Sequence, residues 1–160
     1  MSNPVLQEGG RAPAFTLPAT GEGRVRLTEL RGRWVVLYFY PKDMTPGCTT
    51  EAQDFRDHLA AFEELGAVVL GVSPDELDRH EQFAEREGLE FPLLVDRDSR
   101  VAAKYGVWRQ KVNYGRKYLG IVRSTFLIDP SGKLARIFDN VRVKSHVAKV
   151  LACLEEKAAE

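Results

Sequence analysis

Seven consecutive residues, Trp34-Val35-Val36-Leu37-Tyr38-Phe39-Tyr40, carry no charge and all but Leu37 are β-branched or aromatic. Such a run does not alternate an apolar face with a wet one. It reads as a strand covered on both sides, as in sheets with helices packed on each face. The next segment is equally constrained. Pro41-Lys42-Asp43-Met44-Thr45-Pro46-Gly47-Cys48-Thr49-Thr50-Glu51 opens with turn residues and then becomes helical, with Thr45 as N-cap and Pro46 as the first helical residue. Ala52, Phe55, Leu59, Phe62 and Leu65 recur at three- and four-residue steps and give that helix one apolar face, and Gly66 ends it.

The other segments fit the same layered arrangement. Ala14 to Leu17 and Val25 to Leu27 read as short strands, and Ala67 to Val72 as a second buried strand. Ser73-Pro74-Asp75 opens a helix reaching about Glu87, Phe91 to Val95 is a short strand, and a brief helix lies near Ser99 to Tyr105. Ser124 to Asp129 and Lys133 to Asp139 form a hairpin about the turn Asp129-Pro130-Ser131-Gly132. A last helix runs from about Lys144 to Lys157, while Gly106 to Gly120 loses periodicity and reads as a loop. Strands alternating with helices predict one α/β domain over residues 1–160, with active groups near the carboxyl ends of its strands.

Composition bears on partners. With 23 basic and 23 acidic residues the chain has no long-range pull on nucleic acid or anionic membrane. The basic residues between Arg97 and Arg123 read as a solvated face, and Asp43 and Asp54 as solvated charges. No apolar stretch approaches a membrane span, and Met1 to Gly10 lacks the features of a signal peptide. Two widely separated cysteines then suggest free thiols in a reducing, cytoplasmic setting. His58, His80 and His146 are scattered and none lies at ligand spacing from a cysteine, so no metal site is expected; His58 reads as a boundary histidine. Pro130-Ser131-Gly132-Lys133 is a turn, without the glycine-rich loop of a nucleotide site.

Cys48 is the residue with chemistry. An isolated cysteine is commonly a small buried hydrophobe, but core packing does not call for Pro, Thr, Pro and Gly crowded ahead of it. A free thiol titrates near ~8.5, leaving only a few per cent ionised at pH 7. A helix N-terminus contributes about 0.3–1 kcal/mol, less than one pKa unit, whereas a cation within a few Å contributes ~1–3 units. A reactive thiolate here therefore needs an arginine or lysine beside it. Thr45 is placed either to point its hydroxyl at the sulfur or to cap the Cys48 N–H.

Pro41-x-x-x-Thr45-x-x-Cys48, within Tyr-Pro-Lys-Asp-Met-Thr-Pro-Gly-Cys-Thr-Thr-Glu-Ala, resembles the active-site signature of peroxiredoxins, closest to the bacterioferritin comigratory protein or peroxiredoxin Q subfamily. Gly10 to Phe15, Gly71 to Asp75, Phe91 to Asp96 and Gly120 to Asp129 extend the likeness over nearly the whole chain. The resemblance implies a thioredoxin-like fold, a central mixed β-sheet flanked by helices. It also implies reduction of hydrogen peroxide and organic hydroperoxides through a cysteine sulfenic acid, with no metal or organic cofactor. The reductant would be thioredoxin, glutaredoxin or a small thiol, and the protein a monomer or weak homodimer. Carried over by position, Cys48 is the peroxidatic cysteine, Thr45 bonds the sulfur and the peroxide, and Pro41 shields the pocket from water. Arg123 is the required cation, and Glu51 orients it.

One position departs from the pattern. Many relatives place a resolving cysteine five residues after the first, where this chain has Gln53. Cys153, on the flank of the Val147–Val150–Leu151–Leu154 stripe, is the remaining candidate, and a one-cysteine cycle with an external thiol is the favoured expectation. A thioredoxin-type disulfide reductase needs C-x-x-C, and its second position is Glu51. A non-catalytic binding module of the same fold would have no use for the set Pro41, Thr45, Cys48 and Arg123.

Overall fold

A computed structural model describes residues 6–21 and 23–160; the first five residues, on which part of the reading of the amino terminus rests, lie outside the described residues. The strand built from the apolar run is β3 (Trp34–Phe39), and β4 (Ala67–Ser73) lies parallel to it with Val36 opposite Val69. β5 (Leu93–Val95) continues parallel to β4, and β1 (Thr16–Ala19) and β2 (Gly23–Arg26) add an antiparallel edge. On the other side β8 (Ser124–Ile128) runs antiparallel to β3 and pairs in turn with β9 (Leu134–Phe138). The result is a mixed seven-stranded sheet in the order β2-β1-β5-β4-β3-β8-β9. This is the thioredoxin-like arrangement that the resemblance implied.

Alternation along β3 divides the core. Val36, Tyr38 and Tyr40 face one layer, where α1 (Pro46–Glu64), α2 (Leu77–Glu87) and α4 (His146–Ala158) contribute Ala52, Phe55, Phe62, Phe83, Val150 and Leu154. Val35, Leu37 and Phe39 face the other, closed by α3 (Arg100–Lys104), Tyr105 and the chain before β3. From Val35 to Tyr40 every residue is buried, which is why the run has no polar position. Burying one large apolar side chain contributes about 1.5–3 kcal/mol, so the paired Tyr38 and Phe55 rings, stacked at 4.4 Å, fix α1 firmly on the sheet.

The expected elements are present with displaced ends. β1 begins later than Ala14, and α2 later than Asp75, because Ser73 and Asp75 are occupied in a local turn, the Asp75 N–H donating to Ser73 Oγ at 3.2 Å. Gly66 closes α1 with φ +76, a conformation glycine takes without strain. The segment expected as a loop is a hairpin: β6 (Trp108–Asn113) pairs with β7 (Arg116–Ile121), Val112 opposite Lys117. It stands outside the main sheet, so its residues are mostly exposed or half-buried and show no inward apolar face. Among the described residues no helix is long and apolar enough to cross a membrane.

Candidate active site

β3 and β8 bring the site together. Their antiparallel register sets Phe39 opposite Ser124, so Arg123 lies beside the end of β3 where the chain turns towards α1. Thr45 is the N-cap of α1 and Pro46 its first residue, as the sequence predicts. The Thr49 N–H donates to Thr45 O at 2.8 Å, and by helix geometry the N–H groups of Gly47 and Cys48 have no carbonyl one turn back. The sulfur therefore sits over the positive end of a helix dipole. Cys48 is 2% exposed, and Cys48 and Cys153 are both free thiols.

Arg123 is the cation that lies against the Cys48 sulfur. Its Nη2 donates to Cys48 Sγ at 3.4 Å while Nη1 donates to Glu51 Oε1 at 2.6 Å, so one planar fork serves both groups. Burial works against the Arg123 charge, but Glu51 and the Cys48 sulfur outweigh it and hold the guanidinium above its ordinary range. Burial dominates at Glu51 and pushes its carboxyl up to about 7, against the pull of Arg123. Glu51 Oε2 and Tyr38 Oη are buried without a hydrogen-bond partner among the described residues. Gly47 matters for a steric reason: a Cβ there would stand 3.2 Å from Arg123 Nη2.

Thr45 takes neither of the two orientations open to it. Its hydroxyl donates to Lys42 O at 2.8 Å and makes no capping bond to the helix. Pro41 is half-buried at the start of the same loop. Gln53 donates from Nε2 to Glu87 Oε1 at 2.8 Å. Cys153 is half-buried on α4, where burial pushes its thiol up, with Arg136, Lys157, Glu156 and Glu8 as charged neighbours.

Two residues near the site depart from the sequence reading. Asp43 is not a solvated charge: it is fully buried, receives the Tyr40 hydroxyl at 2.5 Å on Oδ1, and is hydrogen-bonded with His80 Nδ1 at 2.5 Å on Oδ2. Its pairing with His80 replaces the water that an exposed carboxylate would use. Lys111, expected on a solvated loop, turns back from β6 so that its Nζ donates to Ile121 O at 2.9 Å. Burial and Arg123 lower its pKa and Cys48 raises it, which places a second cation in the electrostatic surroundings of the sulfur. His80 is detectable in the sequence: Leu77, His80 and Phe83 recur at three-residue spacing on α2, and His80 and Phe83 are buried. Lys111 carries no such signal.

Asp43, Asp75 and His80 approach within 4.8 Å of one another, a grouping the scattered histidines do not suggest. Both Asp43 oxygens already receive protons, and Asp75 Oδ2 accepts from the Asp43 N–H at 2.7 Å and Ser73 Oγ at 2.6 Å. The cluster is held by its own hydrogens. A cavity of about 190 Å³ bounded by Arg11, Leu27, Arg31, Val35 and Ile128 lies by the start of β3, at the opposite end from Cys48.

Known proteins share this architecture. A profile of the AhpC/TSA family matches residues 9–137. Peroxiredoxin Bcp of Bacillus subtilis (strain 168) is 48% identical over 151 residues, 94% of this chain and 96% of its own length. Peroxiredoxin Bcp of Escherichia coli (strain K12) is 44% identical over 153 residues, 96% of this chain and 98% of its own. Among solved structures, peroxiredoxin Q of Xanthomonas campestris superposes with a TM-score of 0.88 at 40% identity, covering 96% of this chain and 98% of that one. BcpB of Mycobacterium tuberculosis gives a TM-score of 0.83 at 35% identity, covering 95% and 98%. On a family profile spanning most of its length and on these near-full-length relatives, the chain belongs to the AhpC/TSA family, among the Bcp and peroxiredoxin Q thiol peroxidases.

Proposed function

We propose that Cys48 is the peroxidatic cysteine, that it reduces hydroperoxides through a sulfenic acid, and that an external thiol rather than Cys153 restores it. The observation that carries this reading is the Arg123 fork, with Nη2 3.4 Å from Cys48 Sγ and Nη1 held by Glu51. A sulfur beside a fixed guanidinium at a helix N-terminus is placed so that negative charge on it would be met by groups already in position before substrate arrives.

The thiolate attacks one oxygen of the peroxide, the O–O bond breaks, and its electron pair leaves on the distal oxygen. That oxygen takes a proton and departs as alcohol or water, leaving Cys48 oxidised to sulfenic acid. Charge moves from sulfur onto both oxygens during this step. Arg123, the first-turn N–H groups and the Thr45 hydroxyl, turned from the Lys42 carbonyl, would stabilise it. Pro41 would limit water at the sulfur. A first thiol then displaces water from the sulfenic acid to form a mixed disulfide, and a second thiol releases Cys48 as thiol and leaves as the disulfide.

The surroundings of Cys153 support an external reductant. Cys153 lies on the last helix, and burial pushes its thiol up, which leaves it less of the thiolate needed to attack a sulfenic acid. The resolving position of many relatives is Gln53, engaged with Glu87. The Xanthomonas campestris bacterioferritin comigratory protein has been studied for alkyl peroxide reduction, and we extend organic hydroperoxides to this chain as substrates. The test is turnover of hydrogen peroxide and cumene hydroperoxide with a supplied thiol. Cys48→Ser is expected to abolish it, and residual turnover above a tenth of the native rate overturns the proposal.

A further inference from the structure

The cavity of about 190 Å³ at the end of β3 away from Cys48 has buried apolar walls. Ala12 comes from the segment before β1, Leu27 from the turn after β2, Val35 from β3 and Ile128 from β8. All four belong to the core layer that also holds Leu37 and Phe39. Main-chain bonds fix the lip. The Ala12 N–H donates to Gly132 O at 2.9 Å, and the Gly32 N–H donates to Pro130 O at 2.9 Å. Three stretches of chain far apart in sequence are thereby tied around one opening.

The rim carries positive charge without a counterpart. Arg11, Arg31 and Arg33 border the cavity, against a single acid, Asp129. Among the described residues none of these three side chains makes a hydrogen bond or ion pair, whereas Arg26, Arg100 and Arg109 each reach a carboxylate. Asp129 is engaged within its own turn. Its Oδ1 accepts the Ser131 N–H at 2.9 Å, the Ser131 hydroxyl at 2.7 Å and the Lys133 N–H at 3.0 Å. Arg31 is seated as well as unpaired: Gly132, with φ +89 in the β8–β9 turn, leaves the space its guanidinium fills, and a Cβ there would stand 3.2 Å from Arg31 Nε.

Shape and charge together define a ligand. A dry cavity of about 150 Å³ takes a benzene molecule, so this one accommodates one ring or a chain of about six carbons. Guanidiniums of one sign at the mouth select an anion, and their planar forks match a carboxylate. An inorganic anion would leave the apolar walls bare, and a neutral hydrocarbon would leave the rim unmatched. We propose that the cavity is a second binding site, taking a small monocarboxylate with its apolar body against Val35 and Ile128 and its charge among Arg11, Arg31 and Arg33. The six residues of β3 span roughly 20 Å, so a ligand held at its start does not reach Cys48. Occupation stabilises the folded chain, which alone holds the site, and leaves the peroxide chemistry unchanged.

The test uses the full reduced chain with benzoate as probe. Acetate serves as a charge without a body, and benzyl alcohol as a body without a charge. Isotope-edited NMR follows the amides of Ala12, Val35 and Ile128, and calorimetry gives the affinity. A ligand of this size predicts saturable one-to-one binding with a dissociation constant of about 0.1–1 mM, and roughly tenfold weaker binding of each control. Arg31 and Arg33 are exposed, so Arg31→Gln with Arg33→Gln leaves the core intact. That double variant is expected to bind benzoate roughly tenfold more weakly and benzyl alcohol as before. Hydrogen peroxide consumption is expected to be the same with and without saturating benzoate. No saturable shift at these amides by about 10 mM, equal binding of acetate or benzyl alcohol, or undiminished binding in the double variant overturns the site. Slower peroxide consumption in benzoate does so too, because it would put the ligand at Cys48.

Discussion

Replacing Arg123 by Ala isolates the interaction on which the chemistry turns. The guanidinium stands 3.4 Å from the Cys48 sulfur, and two unit charges at that separation attract by about 5 kcal/mol at an effective dielectric near 20. Arg123 is 17% exposed, so water enters the space left by the shortened side chain and returns roughly half of that attraction. The remaining loss, about 2–3 kcal/mol, corresponds to about a hundredfold lower second-order rate with peroxide. Glu51 does not then remain as a bare buried charge. Burial already pushes its carboxyl up to about 7 with the arginine present, and without that cation it takes a proton. The variant is therefore expected to fold, which thermal unfolding and near-UV circular dichroism check. Arg123→Lys keeps a charge but cannot reach Glu51 and the sulfur with one ammonium, and is expected to fall between the two. The assay is stopped-flow oxidation by hydrogen peroxide at fixed pH. A folded Arg123→Ala reacting within threefold of the native rate would refute the reasoning.

Gly47→Ala puts a methyl 3.2 Å from Arg123 Nη2 at a helical position, so the peroxide rate is expected to fall severalfold while the melting temperature holds or rises; a simultaneous loss of stability would point to a different defect. Glu51 binds its proton more tightly in the folded chain than at its ordinary value of 4.5, being pushed up to about 7 by burial. Its contribution to stability is complete below about pH 4.5 and is lost as pH rises through about 7. Chemical denaturation across that window is expected to show the native chain losing on the order of 1–3 kcal/mol relative to Glu51→Gln; a flat or opposite trend contradicts the assignment. Cys153→Ser is expected to keep peroxide turnover within twofold. Intact-mass analysis after peroxide treatment tests the same point, since a Cys48–Cys153 disulfide forming as fast as peroxide disappears would restore the two-cysteine cycle.

Periodicity and turn chemistry are enough for the central strands, because Val35 to Tyr40 and Val69 to Val72 are buried without a break and leave no ambiguity of period. The β6–β7 hairpin escapes the same logic. Arg109, Lys111, Arg116 and Lys117 occupy its strands, and with no sheet packed on it nothing selects an alternating pattern. What secures it instead is specific: Arg109 pairs with Asp139, and Lys111 bonds its own hairpin partner strand. Cys48 and its N-cap are evident from Thr45-Pro46-Gly47, but Arg123 is identified only through family likeness, since local sequence holds no trace of a contact 75 residues away. Asp43 misleads for a related reason. A carboxylate between Pro41 and Pro46 looks solvated until His80 is seen to close over it.

The long separation between Arg123 and Cys48 bears on when the chain acquires its reactivity. During synthesis the cysteine segment forms well before its counter-charge exists, and the two meet only once β8 has docked on β3. With Cys48 as the proposed peroxidatic residue, peroxide sensitivity would be conferred by the finished sheet, and an unfinished or damaged copy would fall silent rather than react out of place.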